Sequence, residues 1–209
     1  MEREKVVIIG GGGHAKVIID IIQSTGTYEV IGFTSPIDVE KSLCCVPYLG
    51  NDSILPSLLK KKIKSFFVAI GENKLRKKLF EELVALGFAP INAISPFAHI
   101  SSYAALGKGV VVMPGAVVST GAVIGDNVII NTLAGIDHEC DISSHVHVAP
   151  GASLAGCIKI GEGTFIGVGT KIIPEIKIGE WAVIGAGSVV ISDIPANAKV
   201  VGVPAKKYI

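Results

Sequence analysis

Aromatic side chains supply only 6% of this 209-residue chain, with a single Trp, while 49% of the residues are hydrophobic. With so few rings, the core has to be filled by aliphatic side chains of similar size. Charge is also sparse: 18% of residues are charged and the net charge is +1, which leaves no strong positive field for nucleic acid. The runs Lys60 to Lys64 and Arg76 to Lys78 read as solvated helix faces rather than a phosphate-tracking patch. The four cysteines, Cys44, Cys45, Cys140 and Cys157, lack the spacing of a metal knuckle or a redox motif and read as plain thiols. The uncharged stretch from Gly109 to Gly125 approaches membrane-span length, but Pro114 and four glycines interrupt it, so no membrane segment is expected. The opening MEREKVVIIGGGG has acids among its charges and too short an apolar run for a signal peptide, so a cytoplasmic location is expected.

What the chain has in abundance is one period. From Ile94 every sixth residue is aliphatic, through Ile100, Leu106, Val112, Val118, Ile124, Ile130, Ile136, Ile142, Val148, Leu154, Ile160, Ile166, Ile172, Ile178, Ile184 and Val190. Neither the 3.6-residue period of a helix nor the two-residue period of a strand produces this, whereas a solenoid does. Each hexad is expected to form one short strand with its aliphatic residue pointing inward, three hexads closing one coil of a parallel β-helix. Four residues after the aliphatic comes a small side chain at Ala116, Ala122, Ala134, Cys140, Ala152, Thr164, Thr170, Ala182 and Ser188, which lets a narrow prism pair one large inward residue with one small one. Directly after the aliphatics stand Gly107, Gly125, Gly161, Gly167, Gly179, Gly185, Asn131 and Asp137. These types tolerate positive φ, and the corners are expected there.

The first ninety residues follow another rhythm. Val6 to Ile9 reads as a strand, Gly10 to Gly13 as a glycine loop and Ala15 to Ile22 as an amphipathic helix, together a β-loop-α unit. The apolar run Ser65 to Ile70 and the helical pattern Lys74 to Leu86 extend this into a small α/β domain over 1–89 with a parallel sheet, followed by the solenoid over 90–209, with Ala89 to Ser95 as the link. Gly10, Gly12 and Ala15 fit the loose dinucleotide pattern, and bare glycine backbone at a helix N-terminus suits phosphate. A dinucleotide site also wants an acid at the end of the second strand, yet Val30 to Phe33 runs into Thr34, Ser35 and Pro36. The pattern therefore favours a phosphate-bearing ligand over a nicotinamide cofactor, with a purely structural turn as the alternative. His14 either contacts the phosphate or caps the helix.

Histidine is scarce, five residues in all, yet His138, His145 and His147 fall close together. All three lie off the inward register and are expected to face solvent or a neighbouring chain. His138 is flanked by Asp137 and Glu139, and a carboxylate beside an imidazole fixes its tautomer and raises its basicity, as a general base requires. A surface histidine beside an acid is the plainer reading. Three imidazoles also suit a catalytic zinc centre, but His138 lies half a coil from His147, so one chain does not gather them and no metal is expected.

At this point the chain resembles the hexapeptide-repeat, left-handed β-helix sugar acyltransferases, in the branch of nucleotide-amino-sugar N-acetyltransferases and sialic acid O-acetyltransferases. The resemblance spans the chain and rests on GGGGHAKVIID at Gly10 to Asp20, VAIGENKLRKKL at Val68 to Leu79, NTLAGIDHECDISSHVHVAPGASLAG at Asn131 to Gly156, and VGVPAKK near the end. It implies a Rossmann-like α/β nucleotide-sugar-binding domain followed by an all-β left-handed parallel β-helix. The implied reaction is direct acetyl transfer from acetyl-CoA, without a metal, to the amine of a substrate of the UDP-4-amino-sugar type. In the same way it implies that His138 is the general base, that Glu139 polarises it and that Asn131 lies near them. His147 would contact the acetyl group of acetyl-CoA, with Gly156 and Val168 along the coenzyme groove, and Gly12, Gly13, His14 and Gly71 would line the nucleotide-sugar pocket. Many members carry an Asp-Asp pair where this chain has Thr34 and Ser35, which puts those two in the same pocket and leaves base and sugar open. Because His138 and His147 fall on different faces of one prism, the site is expected between the chains of a homotrimer. Three other readings stand beside this one: O-acetylation of a sialic acid by the same residues, a γ-type carbonic anhydrase on the same fold, and a non-catalytic scaffold.

Overall fold

The computed structural model describes residues 3–36 and 41–207, and its contacts divide the chain into two units, Met1–Pro96 and Phe97–Ile209. The first unit holds strands β1 (Glu4–Ile9), β2 (Tyr28–Thr34), β3 (Ser42–Leu43), β4 (Val46–Gly50), β5 (Ser65–Val68) and β6 (Ala89–Pro90), with helices α1 (Gly13–Thr25), α2 (Leu55–Lys60) and α3 (Asn73–Ala85). The strand order is β3-β4-β2-β1-β5-β6, parallel apart from the β3–β4 hairpin. Val6 to Ile9 and Phe66 to Val68 are buried as continuous runs, as strands covered on both faces must be. Val7, Ile9, Phe66 and Val68 pack with Leu55, Leu58, Phe80, Leu83 and Phe88, while α1 lies on β1 and β2. The chain leaves β1 toward β2 on one side and later reaches β5 on the other, so the C-terminal end of β1 is a topological switch point.

Two expectations need correction here. Ala89–Pro90, read as part of a link, is the edge strand β6 paired with Ser65 and Phe66. Arg76, read as part of a solvated cluster, is 1% exposed. It shares the inward stripe of α3 with Asn73, Phe80 and Leu83, and its guanidinium donates to the carbonyls of Ile70 and Gly71. The lysines from Lys60 to Lys64 do lie exposed, at the end of α2 and in the turn beyond it.

The second unit is a three-sided parallel β-helix of two-residue strands. On the first face, His99–Ile100, Val117–Val118, Gly135–Ile136, Ser153–Leu154, Lys171–Ile172 and Val189–Val190 stack in register. The second face runs from Ala105–Leu106 to Lys177–Ile178, and the third from Val111–Val112 through His147–Val148 to Val183–Ile184 and Lys199–Val201. Along each face the step is eighteen residues, as Val111 pairs with Ile129, except at the end of the third, where Val183 pairs with Lys199. The aliphatics from Val112 to Val190 are buried, and so are Ala116, Ala122, Ala134, Cys140, Ala152, Thr164, Thr170, Ala182 and Ser188. The inward hydroxyls of Thr164 and Thr170 are satisfied within the coil by the carbonyls of Gly179 and Gly185, as buried polar groups require.

The corners, however, are displaced by two positions from where the glycines suggested. Positive φ falls three residues after the aliphatic, at Gly115, Gly121, Asn127, Leu133, Glu139, His145, Gly151, Cys157, Gly163 and Trp181 among others. The glycines directly after the aliphatics serve a different purpose. A Cβ at Gly125 would stand 2.6 Å from the Ser144 nitrogen, and one at Gly167 2.5 Å from the Ile184 carbonyl oxygen. Those positions need glycine because the next coil lies against them, not because of φ. Replacing Gly125 by Ala is therefore expected to destabilise the fold by about 3 kcal/mol, through forced separation of two coils. Gly151→Ala, where φ is +66° and nothing lies within 4 Å, should cost about 1 kcal/mol. Thermal melts that ranked Gly151→Ala below Gly125→Ala would refute this account of the stacking.

Candidate active site

In the first unit, the sequence-predicted residues gather at the switch point. Gly10 leaves β1 with φ +122°, donates its amide to the Thr34 carbonyl at 2.9 Å, and has no room for a Cβ against the Ala69 carbonyl. Gly12 is the N-cap of α1, and no side chain caps that helix, so His14 is not a cap. Around Gly12, Gly13 and Gly71 a Cβ would meet nothing within 4 Å: the backbone at the ends of β1 and β5 is open to a ligand. Thr34 and Ser35 are buried. The Thr34 hydroxyl donates to Asp52 at 2.6 Å, and the Ser35 carbonyl accepts from the Tyr48 hydroxyl at 3.1 Å.

Below the loop, the His14 Nε2 is buried without a hydrogen-bond partner. Burial, helped by the positive charge of Arg76, lowers its pKa to about 4. Burial also lowers Arg76, to about 10, against the pull of Glu72, so at neutral pH the guanidinium is charged and the imidazole neutral. Bare amides at a helix N-terminus with a fixed cation behind them suit an anionic group such as phosphate.

In the β-helix, the corner after Gly135–Ile136 carries the second group. The Asp137 carboxylate accepts the His138 backbone N–H at 2.7 Å, which ties it to the turn. The imidazole's acidic neighbour is instead Glu139, with Nδ1 to Oε2 at 3.6 Å and both side chains more than half exposed. A proton on Nδ1 faces that carboxylate and leaves Nε2 as the basic nitrogen. The ring lies across the next coil at Gly156, where a Cβ would stand 2.5 Å from Nε2. Gly156 thus gives the imidazole its seat. Cys157, directly above Glu139, donates its thiol to Oε2 at 3.4 Å; this bond, more than burial, raises its pKa.

A third group lies elsewhere on the prism. His147 stands on the third face with its ring edge-on to Phe165 at 5.1 Å. The Asn131 Oδ1 accepts from the Thr132 amide at 2.8 Å, which turns its Nδ2 toward the His147 Nε2 at 3.2 Å. His145 sits at a corner with Asn127 at 2.9 Å. Contrary to expectation, His145 and His147 are 6% and 9% exposed, each covered by neighbours from the coil below or above; of the three, only His138 reaches solvent. Within the chain, His138, Glu139 and Gly156 therefore come together, and so do Asn131 and His147. Val168, half exposed, lies at the corner between the third and first faces, away from Gly156. Sequence reading missed Arg76 and Cys157; the helical stripe ending at Phe80 and Leu83, and the eighteen-residue step from Glu139, were the signals that would have found them.

The depressed His14 has a thermodynamic consequence. As pH falls, the unfolded chain takes up this proton near 6.5 and the folded one only near 4, so the neutral histidine's contribution to stability is full above 6.5 and lost on the way down to 4. The difference in melting temperature between wild type and His14→Asn should change across that window and stay level above it. A difference that is constant from pH 7 to 4 would show that His14 titrates normally.

Residues 5–83 match the PglD N-terminal domain, and residues 157–192 match the bacterial transferase hexapeptide repeats. Among solved structures, PerB from Caulobacter crescentus, in complex with CoA and GDP-perosamine, is 42% identical with a TM-score of 0.93, covering 98% of this chain and 97% of that one. The acetyltransferase domain of PglB from Neisseria gonorrhoeae, in complex with acetyl coenzyme A, is 38% identical with a TM-score of 0.94, covering 99% and 100%. The GDP-perosamine N-acetyltransferase of Escherichia coli O157:H7 is 29% identical over 79% of this chain and 76% of its own. With its Rossmann-like first unit and its coiled second one, the chain belongs to the hexapeptide-repeat sugar N-acetyltransferases, acetyl-CoA-dependent enzymes built on a left-handed β-helix.

Proposed function

We propose that this enzyme acetylates the amine of a nucleotide-linked 4-amino sugar, with His138 as general base, in a site completed between the chains of a homotrimer. The observation that carries the reading is the exposed imidazole seated on Gly156 with Glu139 at its Nδ1. The nucleotide's phosphates would lie on the amides of Gly12 and Gly13, near the charge of Arg76, and present the sugar's amine to the thioester of acetyl-CoA. As the amine attacks the carbonyl, Nε2 of His138 takes its proton, a transfer worth roughly 10² to 10⁴ in rate. Glu139 stabilises the imidazolium that forms, and backbone amides near Gly156 steady the oxyanion. As the tetrahedral intermediate collapses the C–S bond breaks and the imidazolium returns its proton to the leaving sulfur, which departs as the CoA thiol.

Transfer is direct rather than through an acetyl-cysteine. Cys140 is 1% exposed, donates its thiol to the Ala155 carbonyl at 3.1 Å, and has its pKa raised by burial, so the nucleophilic thiolate is disfavoured. The homotrimer draws support from the two separate clusters: His138 at the corner after the first face, His147 with Asn131 at the third. Packing one edge of a prism against a different edge of the next, around a threefold axis, would unite them. Of the UDP- and GDP-linked acceptors, the relatives named for GDP-perosamine favour GDP.

His138→Ala should lower kcat by at least a hundredfold with KM for the sugar little changed, and Glu139→Gln by about tenfold, since it tunes the base without replacing it. Gly156→Ala, which adds a single methyl, should lower kcat by tens of fold by unseating the ring. Following CoA thiol release with UDP- and GDP-linked amino sugars measures both the roles and the acceptor. If His138→Ala kept a tenth of the wild-type turnover, the base would have to be another group. Sedimentation should give a trimer, and a fully active monomer would exclude the shared site.

A further inference from the structure

The corner that holds the base also carries Cys157, which acetyl transfer does not use, and with His138 and Glu139 it completes a ligand set. Among the described residues, His138, Glu139 and Cys157 form the one group of histidine, cysteine and acidic side chains whose ligand atoms all lie within 4.8 Å of one another. Two of the three spacings are the 3.6 Å from Nδ1 and the 3.4 Å from Sγ to the same Oε2. Bonds of about 2.0 to 2.3 Å at tetrahedral angles place neighbouring ligands roughly 3.4 to 3.6 Å apart, so these two edges already match a tetrahedral zinc site. The third edge, from His138 to Cys157, lies within 4.8 Å, in reach of rotation of the two side chains.

The backbone beneath them is fixed. Glu139 and Cys157 occupy equivalent positive-φ corners of consecutive coils, the Cys157 amide donates to the His138 carbonyl at 2.9 Å and the Glu139 amide to the Thr120 carbonyl at 3.1 Å. The donor set is one imidazole nitrogen, one thiol sulfur and one carboxylate oxygen. Soft sulfur with imidazole selects zinc-class cations over magnesium or calcium, which take oxygen. The exposure of His138 and Glu139 leaves a fourth position for water.

The geometry points to a site at which His138, Glu139 and Cys157 capture one zinc-class cation, which silences the enzyme reversibly. The inhibitory half of this rests on His138 being the base. In the capture step the Cys157 thiol gives its proton to solvent as the sulfur–metal bond forms. The metal takes the lone pair of Nδ1, so the proton of the neutral imidazole resides on Nε2, the nitrogen that would otherwise accept the proton of the substrate amine. The cation is thus an inhibitor of acetyl transfer and not its cofactor.

The test uses Zn²⁺ itself, titrated against a chromophoric chelator with the full-length enzyme, alongside Cys157→Ser and His138→Ala. One Zn²⁺ per chain is expected in the wild type, weakened about tenfold or more in each variant. Co²⁺ should give a thiolate charge-transfer band that Cys157→Ser lacks. Turnover, scaled to each protein's own metal-free rate, should fall with Zn²⁺ occupancy in the wild type, return with EDTA, and resist the same concentration in Cys157→Ser. Equal affinity in wild type and Cys157→Ser, or a wild type that leaves all Zn²⁺ with the chelator, overturns the site; an inactive His138→Ala would then leave the base standing. Zn²⁺ held through Cys157 with turnover untouched overturns the inhibition and, with it, the assignment of His138 as base.

Discussion

Each coil of the second unit lies directly on the one before, backbone against backbone, eighteen residues apart. The amide of Val117 meets the carbonyl of Ala134 at 2.9 Å, that of Gly135 meets Ala152 at 2.9 Å, and that of Ser153 meets Thr170 at 2.8 Å. At six places where the chain leaves a strand, the following coil lies too close for a Cβ, and glycine stands there, at 107, 125, 161, 167, 179 and 185. The same contact turns corner residues into columns. Gly121, Glu139, Cys157 and Glu175 share one corner on successive coils, all at positive φ, and Gly156 lies against His138 on the next coil for the same reason. The cluster around His138 is thus made by the repeat: one coil supplies the imidazole and carboxylate, and the next supplies the glycine and the thiol.

The first unit reaches a comparable end by a different route. A doubly wound sheet directs its open backbone to one place, the ends of β1 and β5, and there Gly12 opens α1 without a side-chain cap. Arg76 reinforces this from inside. Buried at the start of α3 and donating to the Ile70 and Gly71 carbonyls, it adds fixed positive charge behind the glycine loop, and that charge helps to keep His14 neutral. A neutral imidazole beside a cation avoids like-charge repulsion.

Sulfur chemistry on this chain is divided by direction. Cys140 points into the prism and is sealed there, so its thiol serves packing. Cys157, on the next coil, points outward at a corner among Glu139, Glu175 and Asp137, which favour its protonated form. The two residues look alike in sequence, and a one-residue difference in hexad phase, between the inward position four residues after the aliphatic and the corner three residues after it, separates their chemistry.

Much of this was legible in the residues alone. The six-residue period from Ile94 to Val190, the small inward partners, the α/β character of the start and the glycine loop between strand and helix all follow from side-chain size and periodicity, which are local properties. The pairing of His138 with Glu139 was visible because the two are adjacent. The sequence could not locate the positive-φ corners, because a glycine needed for close approach reads the same as a glycine needed for φ. Nor could it show that Arg76 turns inward, that Thr34 is tied to Asp52, that His145 and His147 are covered, or that Gly156 and Cys157 frame His138 and Glu139. Those are consequences of stacking and packing between residues far apart in the chain: composition and spacing determined which groups are present and how often they recur, and tertiary contact decided which of them meet.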